Sequence, residues 1–346
     1  MAVDVGRHSR MKAAAAVDVC GRVSNFGATD VLLPEGTHKE RDQMRPRNRI
    51  EWLMAKSTIL TALSLGAACG GPAPALEEHE TASAALSTTA VYFESTNTGN
   101  TVSDRVYLDI HDSDPKAIYF VSPTWTPGSP VIDGHPIGVM FDAGQSNNGH
   151  PDWAIFNEDH KPMPYGTGFS IYTRAKASNV IQLVAGQSGN YAVNDTAYID
   201  NQYTNNNPNA LVWVTQNLST VPGRPNPYNV AVKYDSTRGQ WAIVNLHPPS
   251  DHGIILGAGF NVVIESGAQQ SFFVKTATAQ TSRLVIADPR IDGRPGAKIM
   301  VTQVAVPGVY NDHLVGACFS GGQWAVCNLD VAPIPAGASF NVWLLG

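Results

Sequence analysis

Carboxamides and carboxylates recur at one spacing in this chain. Asn157 is followed two residues on by Asp159, and Asn328 by Asp330, while Asn245 is followed by His247. Such oxygen pairs at a strand exit suit a calcium ion or the hydroxyls of a sugar. The same residue types also set turns by bonding their own backbone, and that reading competes at all three places. Asp109-Ile-His-Asp-Ser-Asp114 is rich in metal-friendly oxygens but lacks the spacing and closing glutamate of an EF-hand loop. His247 and His252 stand five apart in a proline-containing loop, not on one helix face. There is no nucleophile elbow and no glycine-rich phosphate loop, and the scattered Asp, His and Ser residues single out no triad. These patterns assign no catalytic residue and leave calcium as the one cofactor candidate.

The elements that would position these residues are written three times. Trp153-Ala-Ile-Phe-Asn157, Trp241-Ala-Ile-Val-Asn245 and Trp324-Ala-Val-Cys-Asn328 each precede a glycine-aromatic strand, at Phe169-Ser-Ile171, Phe260-Asn-Val262 and Phe340-Asn-Val342. Short β-branched and aromatic runs bounded by turn residues fill the rest of each copy, with no helical period. An internal repeat of this length, with about six strands per copy, has enough apolar surface for its own core. The expected fold is all-β: three tandem small β-sandwich or barrel modules of about 80 residues, over 90–175, 179–265 and 271–346. Period-two alternation puts each repeated tryptophan on a face with Ile or Val, so all three are expected in the core. Trp125 and Trp213 occur once each and are the better candidates for a specialised exposed surface, with packing as the competing reading. Copy two carries three extra residues between Trp and Phe, expected in the loop around His247–His252.

Before the repeats the chain changes character. Residues 1–53 show an alanine run, a basic patch and no sustained period, and are read as a disordered upstream extension. From Met54 a single lysine precedes an apolar run too short to span a bilayer. Its end, Gly66-Ala-Ala-Cys69, resembles a bacterial lipoprotein signal, which implies lipidation at Cys69 of a segment spanning 54–69; Gly66 stands where that family has a larger aliphatic residue. Cleavage after Ala73-Pro-Ala75 is the alternative, giving free secretion. Residues 70–89 read as a flexible tether.

The net charge of −6 is carried by the repeat region, which leaves no electrostatic footprint for nucleic acid. Membrane association is expected only through the lipid anchor. Cys318 and Cys327 fall on two strands joined by Ser320-Gly-Gly-Gln323, as diagonal neighbours if the turn centres on the two glycines or directly opposite after a one-residue shift with a bulge, and an oxidising compartment favours a disulfide there. Two buried thiols are the alternative.

The repeated pattern Val214-Thr-Gln-Asn217, Tyr228-Asn229, Trp241-Ala-Ile-Val-Asn245 and Phe260-Asn-Val262 resembles an uncharacterised class of bacterial secreted β-repeat modules. Copy three retains most of it, aligning Tyr310-Asn311 with Tyr228-Asn229, and copy one is diverged. The resemblance implies export to the bacterial cell envelope or beyond and carries no site residues. The expected function is a surface-associated, non-enzymatic binding or adhesion protein. Its partner would be a carbohydrate or another envelope component, through Asn157, Asp159, Asn245, Asn328 and Asp330. An extracellular hydrolase or enzyme accessory module is the alternative.

Overall fold

The computed structural model describes residues 90–345 apart from 111, 145–148, 150, 188, 221–222, 247–252 and 310. The upstream extension, signal, Cys69 and tether therefore lie outside the described residues, as does most of the loop expected to hold the insertion of copy two. The first repeat forms β1 (Ala90–Ser95), β2 (Thr101–Val102), β3 (Arg105–Tyr107), β4 (Ile118–Trp125), β5 (Ile137–Asp142), β6 (Asp152–Asn157) and β7 (Gly168–Arg174). The second forms β8 (Val180–Val184), β9 (Ala192–Val193), β10 (Thr196–Tyr198), β11 (Leu211–Asn217), β12 (Val230–Asp235), β13 (Gln240–Asn245) and β14 (Gly259–Glu265). The third forms β15 (Phe272–Thr276), β16 (Leu284–Ile286), β17 (Ile299–Val304), β18 (Val315–Ser320), β19 (Gln323–Asn328) and β20 (Ser339–Leu344). Trp153, Trp241 and Trp324 are each the second residue of the matching strand, β6, β13 and β19.

Within a repeat the strands divide into two half-sheets. One is β1-β7-β4, β8-β14-β11 or β15-β20-β17; the other is β2-β3-β6-β5, β9-β10-β13-β12 or β16-β19-β18. Their facing sides enclose one core per repeat, made in the first by Val106, Tyr119, Val139, Trp153, Phe169 and Ile171. The alternation responsible is plain in β19, where Trp324 and Val326 enter the core while Ala325 and Cys327 face away. Each tryptophan satisfies its indole N–H on a carbonyl of its own repeat: Asp114 at 2.9 Å, Asn207 at 2.8 Å and Arg294 at 2.8 Å. A buried indole without such an acceptor would be costly.

The half-sheets do not stand alone. β4 continues into β18, β11 into β5 and β17 into β12, each by a short parallel pairing. Repeat one thus joins repeat three, two joins one, and three joins two. The chain closes into a cycle of three sheets, every one built from halves of two repeats. The modules are real, with separate cores, but they share their sheets.

A fourth apolar cluster fills the centre of the cycle, on the faces turned away from the three cores. Phe120, Trp213 and Met300 occupy equivalent positions there, as do Tyr172, Val263 and Trp343. Trp213 lies 5.0 Å from Trp343, and Trp343 lies 4.7 Å from Tyr172, between ring centroids. Trp213 is therefore a core residue, fully buried. Around this cluster the exposed edges of β4, β11 and β17 are met by hydroxyls of the next repeat. Val121 N donates to Thr215 Oγ1 at 3.0 Å, Val214 N to Thr302 Oγ1 at 3.3 Å and Val301 N to Ser122 Oγ at 3.2 Å. An unpaired strand edge buried without such acceptors would leave its N–H groups orphaned. The Asn of Phe-Asn-Val serves the same seams: Asn261 Nδ2 donates to Tyr119 O and Asn341 Nδ2 to Val212 O, both at 2.8 Å. Ser170 takes that place in the first repeat and accepts from Ile299 N at 3.4 Å.

Candidate functional site: a groove at one seam

Where β4 meets β18, the outward side of the sheet carries a groove of about 250 Å³. Trp125, Ile132, Leu329, Val331 and the Cys318–Cys327 pair form its apolar walls, and Arg283 with Ser282 and Ser320 supplies polar groups. The cysteines are joined in a disulfide with their Cα atoms 6.1 Å apart. They reach each other diagonally across the hairpin, because Cys318 stands opposite Ala325 and Cys327 opposite Gly316. Trp125 ends β4 half-buried, its indole held by Nε1 donating to Pro130 O at 2.9 Å. Arg283 directs Nη2 to the hairpin carbonyls of Ser320 and Gln323, at 3.0 and 3.2 Å, and leaves its buried Nε–H without a protein acceptor. Val331 stands 77% exposed at the rim with φ of 61°. The left-handed turn is shared with repeat one, where His160, three residues after Asn157 as Val331 is after Asn328, has φ of 57°. Among the described residues the other seams differ: Leu218 and Ala305 stand where Trp125 does, and Lys233 and Met140 where Cys318 does. An apolar wall flanked by two hydroxyls can hold a ring-bearing ligand by stacking and a hydrogen bond. Its lining holds no carboxylate or imidazole.

The residues singled out by spacing lie elsewhere. Asn157, Asn245 and Asn328 are buried at 0%, 4% and 2% exposure. In repeat two Asn245 exchanges bonds with Asn226, which also donates to Gln216 Oε1 at 2.8 Å. In repeat three Asn328, Asn311 and Gln303 reproduce this network. Asn157 donates to Lys161 O at 3.0 Å and faces Asp133. Asp159 and Asp330 engage histidines instead, His135 at 2.9 Å and His313 at 2.6 Å. The carboxamide and carboxylate of each motif thus serve different partners. Among the described residues no group of three or more His, Cys, Asp or Glu is placed to hold a metal ion. In the acidic 109–114 stretch, Asp112 accepts from Tyr119 Oη at 2.7 Å.

Gln216, Gln303 and Asn311 entered the sequence reading only as markers of the repeat, and Asn226 and Asp133 escaped it. The alignment of Tyr228-Asn229 with Tyr310-Asn311 is out of register. The structural equivalent of Asn311 is Asn226, and Asp133 in repeat one, each four residues before its strand. Counting back from the strand start, instead of matching the Tyr-Asn pair, would have found them. Two carboxyls of the diverged first repeat sit in this buried zone. Burial pushes Glu158 up to about 8, partly opposed by the Asn226 N–H it accepts at 3.0 Å. Burial likewise pushes Asp133 up to about 6.

The family described as Domain of unknown function (DUF7452) matches residues 145–248 and 231–344. The chain belongs to this family. Comparison with curated proteins and with solved structures returned no match. The first DUF7452 match holds Trp153 and Trp241, the second Trp241 and Trp324. The DUF7452 frame thus reaches from one tryptophan strand to the next, and the β12–β13 hairpin is counted in both matches. That frame crosses the boundary between repeats, as the shared sheets do.

Proposed function

We propose that this DUF7452 protein is an exported, envelope-associated and non-enzymatic binding protein whose ligand, a glycan or another envelope component, sits in the Trp125 groove. The observation that carries the reading is the meeting of an anchored tryptophan, the Cys318–Cys327 disulfide and the Arg283 guanidinium at one seam, where the other two place Leu218 or Ala305 and Lys233 or Met140. Repetition here supplies a rigid frame, and divergence at one seam supplies the site. A disulfide in the groove wall and the Met54–Cys69 segment support export to an oxidising compartment. The test is binding of the full chain to a glycan array and to isolated envelope fractions, beside Trp125→Ala. Loss of binding by tenfold or more with unchanged melting supports the reading. Equal binding by the variant, or none by the parent, overturns it. Mass spectrometry of mature protein tests the route: a lipidated Cys69 terminus marks anchoring, Leu76 marks free secretion, and peptides from 1–53 would refute export from Met54.

A further inference from the structure

The buried carboxamide pairs of repeats two and three are self-complementary. Asn226 and Asn245 exchange hydrogen bonds of 2.9 and 3.1 Å, and Asn311 and Asn328 exchange bonds of 3.0 and 2.8 Å. Each amide gives one N–H and its carbonyl oxygen to the other, and its second N–H goes to Gln216 Oε1 or Gly253 O in repeat two and to Gln303 Oε1 or Ala332 O in repeat three. In repeat one the first partner is Asp133. Asn157 Nδ2 is 3.5 Å from Asp133 Oδ1, and the two remaining oxygens, Asp133 Oδ2 and Asn157 Oδ1, are buried without any partner. Asp133 is 1% exposed and Asn157 0%. Two acceptors without a donor are a costly combination in a dry interior. A proton on Asp133 supplies the missing donor and restores the two-bond pair.

The loop that carries Asp133 builds the groove. Pro130 O holds the Trp125 indole, and Ile132 forms part of the wall. Val131 N ties the loop to Gly166 O at 3.3 Å. We infer that Asp133 is an acid-set latch: protonated, it closes the pair with Asn157 and fixes the 130–136 loop; ionised, it loosens that loop and the groove with it. The link to ligand rests on the binding reading above; the latch itself does not.

The charged groups facing Asp133 are His135, whose backbone N–H it accepts at 3.3 Å, and Asp159, which is itself paired with His135. Burial outweighs them and holds the Asp133 carboxyl at about 6, against 3.8 for an ordinary aspartate. The raised value fixes the sign. The latch is fully closed below the ordinary value, weakens as pH rises towards the folded one, and is lost above it. Opening of the loop is thus expected to become about tenfold easier per pH unit between about pH 4 and 6, then level off.

The experiment is hydrogen–deuterium exchange of the full chain from pH 4 to 8, corrected for intrinsic rates and read at the amides of 130–136. It is run beside Glu158→Gln, alone and with Asp133→Asn. The expected result is protection that declines through the pH 4–6 window in the parent and in Glu158→Gln. Asp133→Asn made in the Glu158→Gln background, which removes the second buried carboxyl, should stay flat at the parent's acid level, because the amide supplies the donor at every pH. Carbon-13 titration of Asp133 should give a midpoint near 6. A flat parent profile, a slope that survives Asp133→Asn in the Glu158→Gln background, or an ordinary Asp133 midpoint overturns the latch. If the latch holds while Trp125→Ala binds ligand normally, the groove reading alone fails.

Discussion

Truncating Trp324 to alanine tests whether the shared sheets make the three repeats one cooperative unit. The side chain leaves β19 fully buried in the core of repeat three, with its ring 5.3 Å from Phe319. A buried tryptophan covers about 150–250 Å². At ~25 cal/mol per Å² this corresponds to roughly 4–6 kcal/mol, of which alanine recovers a small part. Measured truncations of this kind cost about 3–5 kcal/mol. The Arg294 carbonyl, which accepts the indole N–H at 2.8 Å, loses its partner, adding about 1 kcal/mol. The expected loss is therefore about 4–6 kcal/mol, a large part of the ~5–15 kcal/mol that holds a typical domain. Independent modules would confine the damage to the third repeat. Here β18 extends the sheet of β4, and β17 extends that of β12, so the damage has to reach both neighbours. Urea unfolding followed by circular dichroism and by exchange at repeat-one amides should show one transition moved to lower urea with an unchanged slope. A biphasic curve in which repeat three melts first, leaving the other two at the parent midpoint, would refute the reasoning.

Three further outcomes follow from the same seams. The fragment 179–265 exposes the β11 edge that pairs with β5 and the β12 edge that pairs with β17, so light scattering should find it unfolded or self-associated; a folded monomer would contradict the shared-sheet account. Thr302→Val removes the acceptor of Val214 N–H and should cost about 1–3 kcal/mol by thermal or urea melting, and a neutral result would mean that water serves that strand edge. Burial of Glu158 raises its folded value to about 8, so stability should be full below about pH 4.5 and lost as pH rises through 8. Glu158→Gln should flatten that decline in urea midpoints between pH 5 and 9, and an unchanged slope would assign it to other groups.

The repeat was legible because its signal is local. Tryptophan beside isoleucine or valine at period two, and phenylalanine on the next strand, depend on which face of a strand is buried, and alternation along the chain records that directly. The strands, the three cores and the buried repeated tryptophans were accordingly within reach. Cys318 and Cys327 were legible as hairpin neighbours, and the register that places them diagonally, with no bulge, is the one the structure adopts. The role of Trp213 was open from sequence, because its face is buried by residues from the other repeats. The Asn–Asp motif pointed toward the surface, yet Asn157, Asn245 and Asn328 lie inside. A polar side chain at a strand end looks the same along the chain whether it meets solvent or a second buried amide.

Sequence by itself determined an all-β chain of three repeats and the core-facing side of the tryptophan strand in each, since these follow from the period of one strand and the turns beside it. Tertiary structure alone decided the cyclic exchange of half-sheets, the central cluster around Trp213 and Trp343, and the meeting of Trp125 with Arg283 and the disulfide. Parallel pairing between β4 and β18 joins residues nearly two hundred positions apart, and no periodicity within either strand encodes which edge the other will find. That choice belongs to the packing of the whole chain, and with it the place where one seam became unlike the other two.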